Sequence, residues 1–114
     1  MRSAIFGGLL AAVAACGGAG AAERFFAYNL TTATEFTGVF LAPAGSQDWG
    51  PNQALNDKDH SLETSERLPL TGIARGRFEV KLETRKGRSC IKHDVDLTRE
   101  TSFDIHDADL AGCR

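Results

Sequence analysis

The clearest pattern in this 114-residue chain is an alternation of apolar and charged side chains in its second half. It covers Arg77–Thr84. The apolar positions of this segment are Phe78, Val80 and Leu82. A repeat of two residues is typical of a β-strand with one buried and one solvated face. Lys86-Gly87 supplies turn chemistry, so Ser89–Val95 is predicted to return antiparallel as the second strand of a hairpin.

Shorter strands are predicted on both sides of this hairpin. They cover Arg24–Leu30, Phe36–Leu41, Glu66–Leu70 and Thr101–Ile105. Pro43 ends the second of them because it has no N–H to donate to a ladder, and the polar stretch Ala44–Lys58 reads as a long loop. Outside the N-terminus, no window has three turns of helical periodicity. Strands of this length and spacing predict an all-β fold, either a small antiparallel β-sandwich or a partly open barrel.

The N-terminal 22 residues have a different character. Arg2 is the only charged residue before Glu23, and an apolar stretch, Ile5–Ala15, is followed by small residues up to Ala22. This order is that of a secretory signal peptide. The apolar stretch is shorter than the roughly 20 residues that a transmembrane helix needs. We therefore predict a signal peptide over residues 1–22, a single domain over residues 23–114, and export to the periplasm or the medium of a bacterium.

Two processing routes remain open for this signal. Small residues at Ala19 and Ala21, or at Gly20 and Ala22, would allow cleavage just before Ala22 or Glu23. Alternatively, Val13-Ala14-Ala15-Cys16 resembles a bacterial lipobox, in which Cys16 would carry lipid and anchor the protein in the envelope. We favour soluble export, with lipidation of Cys16 as the alternative.

Charge narrows the class of partner. The chain has 13 basic and 15 acidic residues, and loss of Arg2 with the signal leaves 12 against 15. Nucleic-acid binding draws most of its affinity from a clustered basic face, and anionic membranes attract basic segments. The acidic balance therefore argues against both. We expect a protein or an envelope component as the partner, and no transmembrane segment in the mature chain.

The cysteines form an even set once the signal is removed. Cys90 and Cys113 remain, with 22 residues between them. In an oxidising compartment the simplest interpretation is a disulfide, which would stabilise the domain by about 3 kcal/mol. The alternatives are a redox pair or two ligands of a zinc site, both of which usually need close spacing such as C-x-x-C.

Three clusters of acidic and histidine residues are candidates for metal binding. The first, Asp57–His60, lacks the glycine and glutamate of a calcium loop at the required positions. In the second, strand alternation predicts Asp94 and Asp96 on one face, with His93 and Val95 on the other. The third contains Asp104, His106, Asp107 and Asp109, near Cys113. We expect no metal and no cofactor, and retain His93, Asp94, Asp96, His106 and Asp107 as weak candidates.

No pattern of nucleophilic catalysis appears in the sequence. The segment around Ser46 lacks the second glycine of a nucleophile elbow, and no phosphate loop or zincin motif is present. We expect that the protein is not an enzyme. Trp49, the single tryptophan, has two interpretations: a cap on one end of the hydrophobic core, which is the commoner role, or, together with Asn52, an exposed binding anchor.

Several short motifs along residues 25–110 carry a resemblance. They are Asn29-Leu30-Thr31-Thr32, the strand end Ala42-Pro43, Trp49-Gly50-x-Asn52, Phe78-Glu79-Val80, Gly87, Cys90 and Asp94-Val95-Asp96-Leu97. Together they resemble a loosely defined group of small exported bacterial β-sandwich domains of unknown function. Two features depart from that pattern: Phe40 stands where tyrosine is frequent, and no Pro-Gly step precedes Glu66–Leu70. The resemblance implies the fold and export, and it implies no reaction.

These observations together predict an exported, non-catalytic binding or accessory module of the bacterial envelope. One alternative is an envelope inhibitor of a host or competitor hydrolase. The other is a weak divalent-metal-dependent enzyme built on the second and third acidic clusters.

Overall fold

The computed structural model describes residues 23–114, which form six β-strands and two short 3₁₀ helices. The strands are β1 (Phe25–Asn29), β2 (Phe36–Pro43), β3 (Arg67–Leu70), β4 (Arg77–Thr84), β5 (Ser89–Asp96) and β6 (Ser102–Ile105). The 3₁₀ helices cover Gln53–Asn56 and Asp107–Leu110. The predicted signal peptide, with Cys16, lies outside the described residues. Between residues 23 and 114, no helix is long and apolar enough to cross a membrane.

The strands form two separate three-stranded sheets. The first sheet has the order β3-β1-β6 and the second the order β2-β4-β5. This arrangement confirms the predicted β-sandwich and not the partly open barrel. The second sheet is fully antiparallel, and β4 and β5 form the predicted hairpin. In the first sheet, β1 pairs antiparallel with β3 but parallel with β6, a departure from the expected all-antiparallel pairing.

The hydrophobic core lies between the two sheets. Alternation along each strand turns one set of side chains inward, as the charged and apolar pattern of β4 predicted. The core side chains from the strands are Phe25, Ala27, Phe36, Val39, Leu41, Leu68, Leu70, Val80, Leu82, Val95, Phe103 and Ile105. Ala54, Leu62 and Leu97 complete the core from the connecting segments. Both sheets contribute to one cluster, so the sandwich forms a single folding unit.

The predicted disulfide is present at one end of this sandwich. The Sγ atoms of Cys90 and Cys113 lie at bonding distance, and their Cα atoms are 4.1 Å apart. Next to it, Ser89 and Arg114 exchange two backbone hydrogen bonds, of 2.8 and 2.9 Å. The C-terminal segment Asp107–Arg114 is thereby fixed along the outer edge of β5.

A buried asparagine explains the Asn29-Leu30-Thr31-Thr32 motif. The Asn29 side chain is fully buried, and its Oδ1 accepts hydrogen bonds from the N–H and the hydroxyl of Thr31. Its Nδ2 donates to the backbone carbonyls of Thr34 and Leu62. Asn29 therefore holds the chain as it passes from the first sheet to the second, which is a structural role.

Candidate functional site

The outer face of the second sheet carries an open concave surface that is lined by both polar and apolar side chains. Its outward positions follow from the register and from the inward direction of the neighbouring residues Val39, Val80 and Leu82. The outward side chains are Phe40 on β2, Glu79, Lys81 and Glu83 on β4, and Ile91 and His93 on β5. Ile91 is 42% exposed, which is unusual for a large apolar residue in a strand.

The loop after β2 covers one end of this face. Its backbone is held to the sheet at two points, where Ala44 N donates to Arg77 O (2.9 Å) and Gly50 N donates to Leu41 O (2.9 Å). Between the loop and β5 lies an open groove of about 370 Å³. The residues that line it are Gly45, Ser46, Gln47, Trp49, Glu79, Ile91 and His93. We refer to it below as the Trp49 groove.

Asn52 fixes the end of this loop and does not line the groove. Its Oδ1 accepts from Val39 N and from Ala54 N, both at 3.0 Å, and its Nδ2 donates to Thr37 O at 2.9 Å. The side chain thus caps the first 3₁₀ helix and also satisfies the backbone of β2, an edge strand. The Trp-Gly-x-Asn motif is therefore a clamp on a sheet edge, and the geometry favours a structural role for Asn52.

Trp49 does not cap the core, contrary to the commoner of its two interpretations. It is half-buried and lies outside the core cluster. Lys81 Nζ lies 5.2 Å from the Trp49 ring centroid and 4.8 Å from that of Phe40, so the ammonium group contacts both rings. These cation–π contacts place Trp49 on the outer face of the second sheet. The physical reason is that Gly50 and Asn52 hold the loop against the edge strand β2, which places the Trp49 ring beside Lys81.

His93 and Glu79 form the polar part of the groove. His93 Nδ1 contacts the Oε1 atom of Glu79, and Gly45 N donates to Glu79 Oε2 at 3.3 Å. The Glu79 side chain is only 12% exposed, whereas that of His93 is 74% exposed. The hydrogen bond with His93 lowers the pKa of Glu79 below its ordinary value of 4.5. Glu79 therefore links the overhanging loop to β5.

The predicted faces of the second acidic cluster are wrong, because β5 contains a β-bulge. The register shifts between Phe78 and Val80, and Asp94 adopts a left-handed φ of 55°. An extra residue in one strand reverses the alternation beyond it. As a result Val95 is buried in the core while His93 is exposed on the groove side.

The two carboxylates of this cluster do converge, but on a guanidinium group. Arg77 Nη1 lies 2.9 Å from Asp94 Oδ1, and Arg77 Nη2 lies 3.2 Å from Asp96 Oδ2. Asp96 also accepts hydrogen bonds from the hydroxyl and backbone N–H of Thr98, which lower its pKa. These contacts connect the Asp-Val-Asp-Leu motif to the start of β4 and to the turn that follows β5.

In the third cluster, the carboxylates of Asp107 and Asp109 are bound to different partners. Asp107 accepts from the backbone N–H and the hydroxyl of Thr32, an interaction that lowers its pKa. Asp109 pairs with Lys92 Nζ at 2.9 Å and accepts from His106 N at 2.8 Å. Asp104 and His106 are exposed.

The candidate metal ligands are therefore not brought together. Among residues 23–114, no group of three or more histidine, cysteine or acidic side chains is arranged to hold a metal ion. The weak candidates His93, Asp94, Asp96, His106 and Asp107 contact Glu79, Arg77 or Thr32, or lie exposed. In the first cluster, Asp57 Oδ2 accepts from the backbone N–H of Asp59, as in a surface turn.

A histidine oriented by a carboxylate resembles the arrangement of a general base. Ser46 lines the same groove and carries the hydroxyl group that a nucleophile would need. Its Oγ accepts from Asp48 N at 3.3 Å, and within the described part of the chain no hydrogen bond joins it to His93. The groove is also open to water, which weakens electrostatic stabilisation of a transition state.

The fold and the groove together describe a small disulfide-linked β-sandwich with an open groove on one outer face. Comparison with known proteins finds no matching family model, no matching curated protein and no matching solved structure. The resemblance to small exported bacterial domains therefore remains a prediction.

Sequence reasoning found Trp49 but missed most of its neighbours. Phe40 and Ile91 are apolar residues at outward positions of their strands, and Lys81 and Glu79 are charged residues on the solvated face of β4. The signal that could have revealed them is the placement of Phe40 and Ile91, because an apolar side chain on a polar face calls for a partner. What could not be read from the sequence is that the loop folds back over this face.

Proposed function

We propose that this protein is an exported, non-catalytic binding module of the bacterial envelope, and that the Trp49 groove is its binding site. The observation that carries the proposal is that the loop after β2 places the single tryptophan beside the exposed side chains of Ile91 and His93 on β5. Aromatic side chains with a partly exposed ring are frequent anchors of binding sites.

The chemistry of the groove favours a neutral ligand that has both apolar and hydroxyl or amide groups. The charged groups in the groove already have partners: Glu79 contacts His93, and Lys81 contacts two aromatic rings. A ligand with a net charge would have to displace one of these partners. The remaining surface offers the Trp49 ring and Ile91, with Ser46 and Gln47 at the rim. A glycan or peptide segment of the cell envelope has this chemistry.

The fluorescence of Trp49 provides a direct test, because it is the only tryptophan. We suggest titrating the purified protein with soluble fragments of the peptidoglycan wall, both disaccharide–peptide units and free stem peptides. The expected result is a saturable change in Trp49 emission. The substitution Ile91→Ser is expected to weaken the affinity that this change reports. Glu100→Gln, at an exposed position outside the groove, serves as the control. The absence of a saturable change with either probe would contradict the proposed binding site.

The non-catalytic part of the proposal has a separate test. We expect the wild-type protein to hydrolyse p-nitrophenyl acetate no faster than the double variant Ser46→Ala/His93→Ala. An ester hydrolysis rate that requires both residues would show that the groove is an active site instead.

Export and the state of Cys16 are tested by intact mass. The protein purified from its natural envelope is expected to start at Ala22 or Glu23. A diacylated chain that begins at Cys16 would establish the lipoprotein route, and a chain that retains residues 1–22 would contradict export.

A further inference from the structure

A second concave surface lies at the opposite end of the second sheet. Three segments meet there: residues 33–35 before β2, the hairpin turn after β4, and the C-terminal segment next to the disulfide. They enclose a cleft of about 290 Å³. The residues that line this cleft are Ala33, Thr34, Glu35, Thr84, Arg85, Lys86, Arg88, Leu110 and Cys113. Glu79 and Thr84 are five residues apart on β4, so the cleft lies about 17 Å from the floor of the Trp49 groove.

The cleft has an excess of positive charge. Arg85 is neutralised by Glu35, through Nε–Oε1 and Nη2–Oε2 hydrogen bonds of 2.7 and 2.8 Å. This pairing lowers the pKa of Glu35 to about 2. Lys86 and Arg88 are exposed, and neither forms an ion pair with any residue from 23 to 114. Two cations with no carboxylate partner among residues 23–114 therefore border the cleft, in a chain whose net charge is negative.

Arg88 is held in position for a ligand. One of its guanidinium nitrogens, Nη2, donates to Cys113 O at 3.2 Å, and its backbone N–H donates to Thr84 Oγ1 at 3.0 Å. The guanidinium group has five N–H donors, so several remain free for an anion. The disulfide fixes the C-terminal segment to which the Arg88 side chain is hydrogen-bonded. Less conformational entropy is therefore lost when a ligand binds.

The other wall of the cleft is apolar. Leu110 is half-buried and packs against the core, and Ala33 and Cys113 also line the cleft. A ligand that fills this cleft would place apolar atoms against Leu110 and an anionic group against Lys86 and Arg88. An inorganic anion would leave the apolar wall exposed to water. A ligand with both an apolar part and an anionic group therefore fits the cleft better than a purely ionic one.

We propose that this cleft binds a small amphiphile with one anionic head group, and that Lys86 and Arg88 recognise the head group. This site goes beyond the proposed function of the Trp49 groove, and either site could exist without the other. Charge complementarity selects the anion, and the cleft volume, at the lower end of the usual range for ligand sites, limits the apolar part to a short chain.

The test is isothermal titration of the purified protein with decyl phosphate below its micelle-forming concentration. We expect saturable binding of one molecule per chain. The double variant Lys86→Ala/Arg88→Ala is expected to bind decyl phosphate at least about tenfold more weakly, because each of the two substitutions removes a charge-assisted hydrogen bond to the head group. The matched control Lys58→Ala/Arg99→Ala removes two exposed cations elsewhere and should bind as the wild type does.

A second variant and two further ligands test the cleft independently of Lys86 and Arg88. Ala33→Glu adds a negative charge at an exposed position of the cleft wall and should abolish binding without loss of folding. Inorganic phosphate and the neutral amphiphile decyl maltoside should both bind more weakly than decyl phosphate. The proposal would be overturned if inorganic phosphate or decyl maltoside bound as tightly as decyl phosphate, or if the Lys86/Arg88 variant kept the wild-type affinity. It would also be overturned if decyl phosphate showed no saturable binding. Because Trp49 lies outside this cleft, its emission should not change in these titrations.

Discussion

The two ends of β4 are covered in different ways. At its start, near Glu79, the covering segment is the loop after β2, which is held by hydrogen bonds and by cation–π contacts of Trp49. At its end, near Thr84, the covering segment is the C-terminus, which a disulfide fixes covalently. Noncovalent contacts of a surface loop open and close at little cost, whereas a disulfide does not. The comparison indicates an adaptable surface at the Trp49 groove and a preformed one at the cleft beside the disulfide.

Of the changes at the two ends of β4, the one with the largest expected effect tests the covalent end. Replacement of both Cys90 and Cys113 by alanine should lower the free energy of unfolding by about 3 kcal/mol, because the unfolded chain regains the freedom of the closed loop. Urea unfolding followed by circular dichroism measures this change. The emission of Trp49 in the folded variant should equal that of the wild type. A shift in that emission would show that the two ends are coupled, and unaltered stability would show that the disulfide constrains nothing.

The next largest effect tests the noncovalent end. Asn52→Ala should destabilise the protein by about 1–2 kcal/mol, since it removes a helix cap and leaves Val39 N and Thr37 O without partners. Trp49 emission should move to longer wavelength as the loop detaches. Gln47→Ala, in the same loop, is the matched control and should stay within about 0.5 kcal/mol. An equal effect of both substitutions would argue against the clamp.

Loss of the tryptophan itself should have a smaller effect. Trp49→Ala is expected to change the free energy of unfolding by about 1 kcal/mol or less, because the half-buried ring lies outside the core and its cation–π contact with Lys81 is weak at a surface site. By contrast, Phe36→Ala in the fully buried core should cost about 3–5 kcal/mol. Urea unfolding by circular dichroism compares the two variants. A Trp49 effect as large as that of Phe36 would mean that the ring stabilises the fold and is not free for a ligand.

The smallest expected effect concerns pH. The pKa of Glu79 is lower in the folded protein than its ordinary value of 4.5, because His93 bonds the carboxylate. The pair therefore contributes stability that is fully present above pH 4.5 and is lost as the pH falls through the lower, folded pKa. Glu79→Gln should flatten the fall in stability below pH 4.5, whereas Glu83→Gln, on the same face of β4, should not. Identical pH profiles for wild type and Glu79→Gln would contradict this.

Much of the fold could be predicted from local patterns. The alternation in β4, the turn at Lys86-Gly87 and the strand-ending Pro43 each act within a few residues, so the sequence alone reveals them. The parallel pairing of β1 with β6 could not be predicted in the same way. The two strands are separated by more than 70 residues of chain, and no local signal specifies which distant edges will meet.

The candidate site was harder to predict than the fold. The faces of His93 and Val95 were assigned from strict alternation, which the bulge at Asp94 breaks. The acidic clusters looked like metal ligands because the sequence does not reveal their cationic partners. Arg77, which pairs with Asp94 and Asp96, is 17 residues away from the nearer of them. Trp49 was identified as an unusual residue, but its location depended on the clamp formed by Asn52.

The sequence by itself determined the short-range properties of residues 23–114: an all-β domain, its hairpin and an even pair of cysteines. These depend on hydrophobic periodicity, turn chemistry and counting. Only the tertiary structure decided which carboxylates are neutralised, where Trp49 lies, and which two ends of the second sheet are concave. Those outcomes depend on contacts between residues far apart in the chain, whose energies are set by burial and by the partners that the fold brings together.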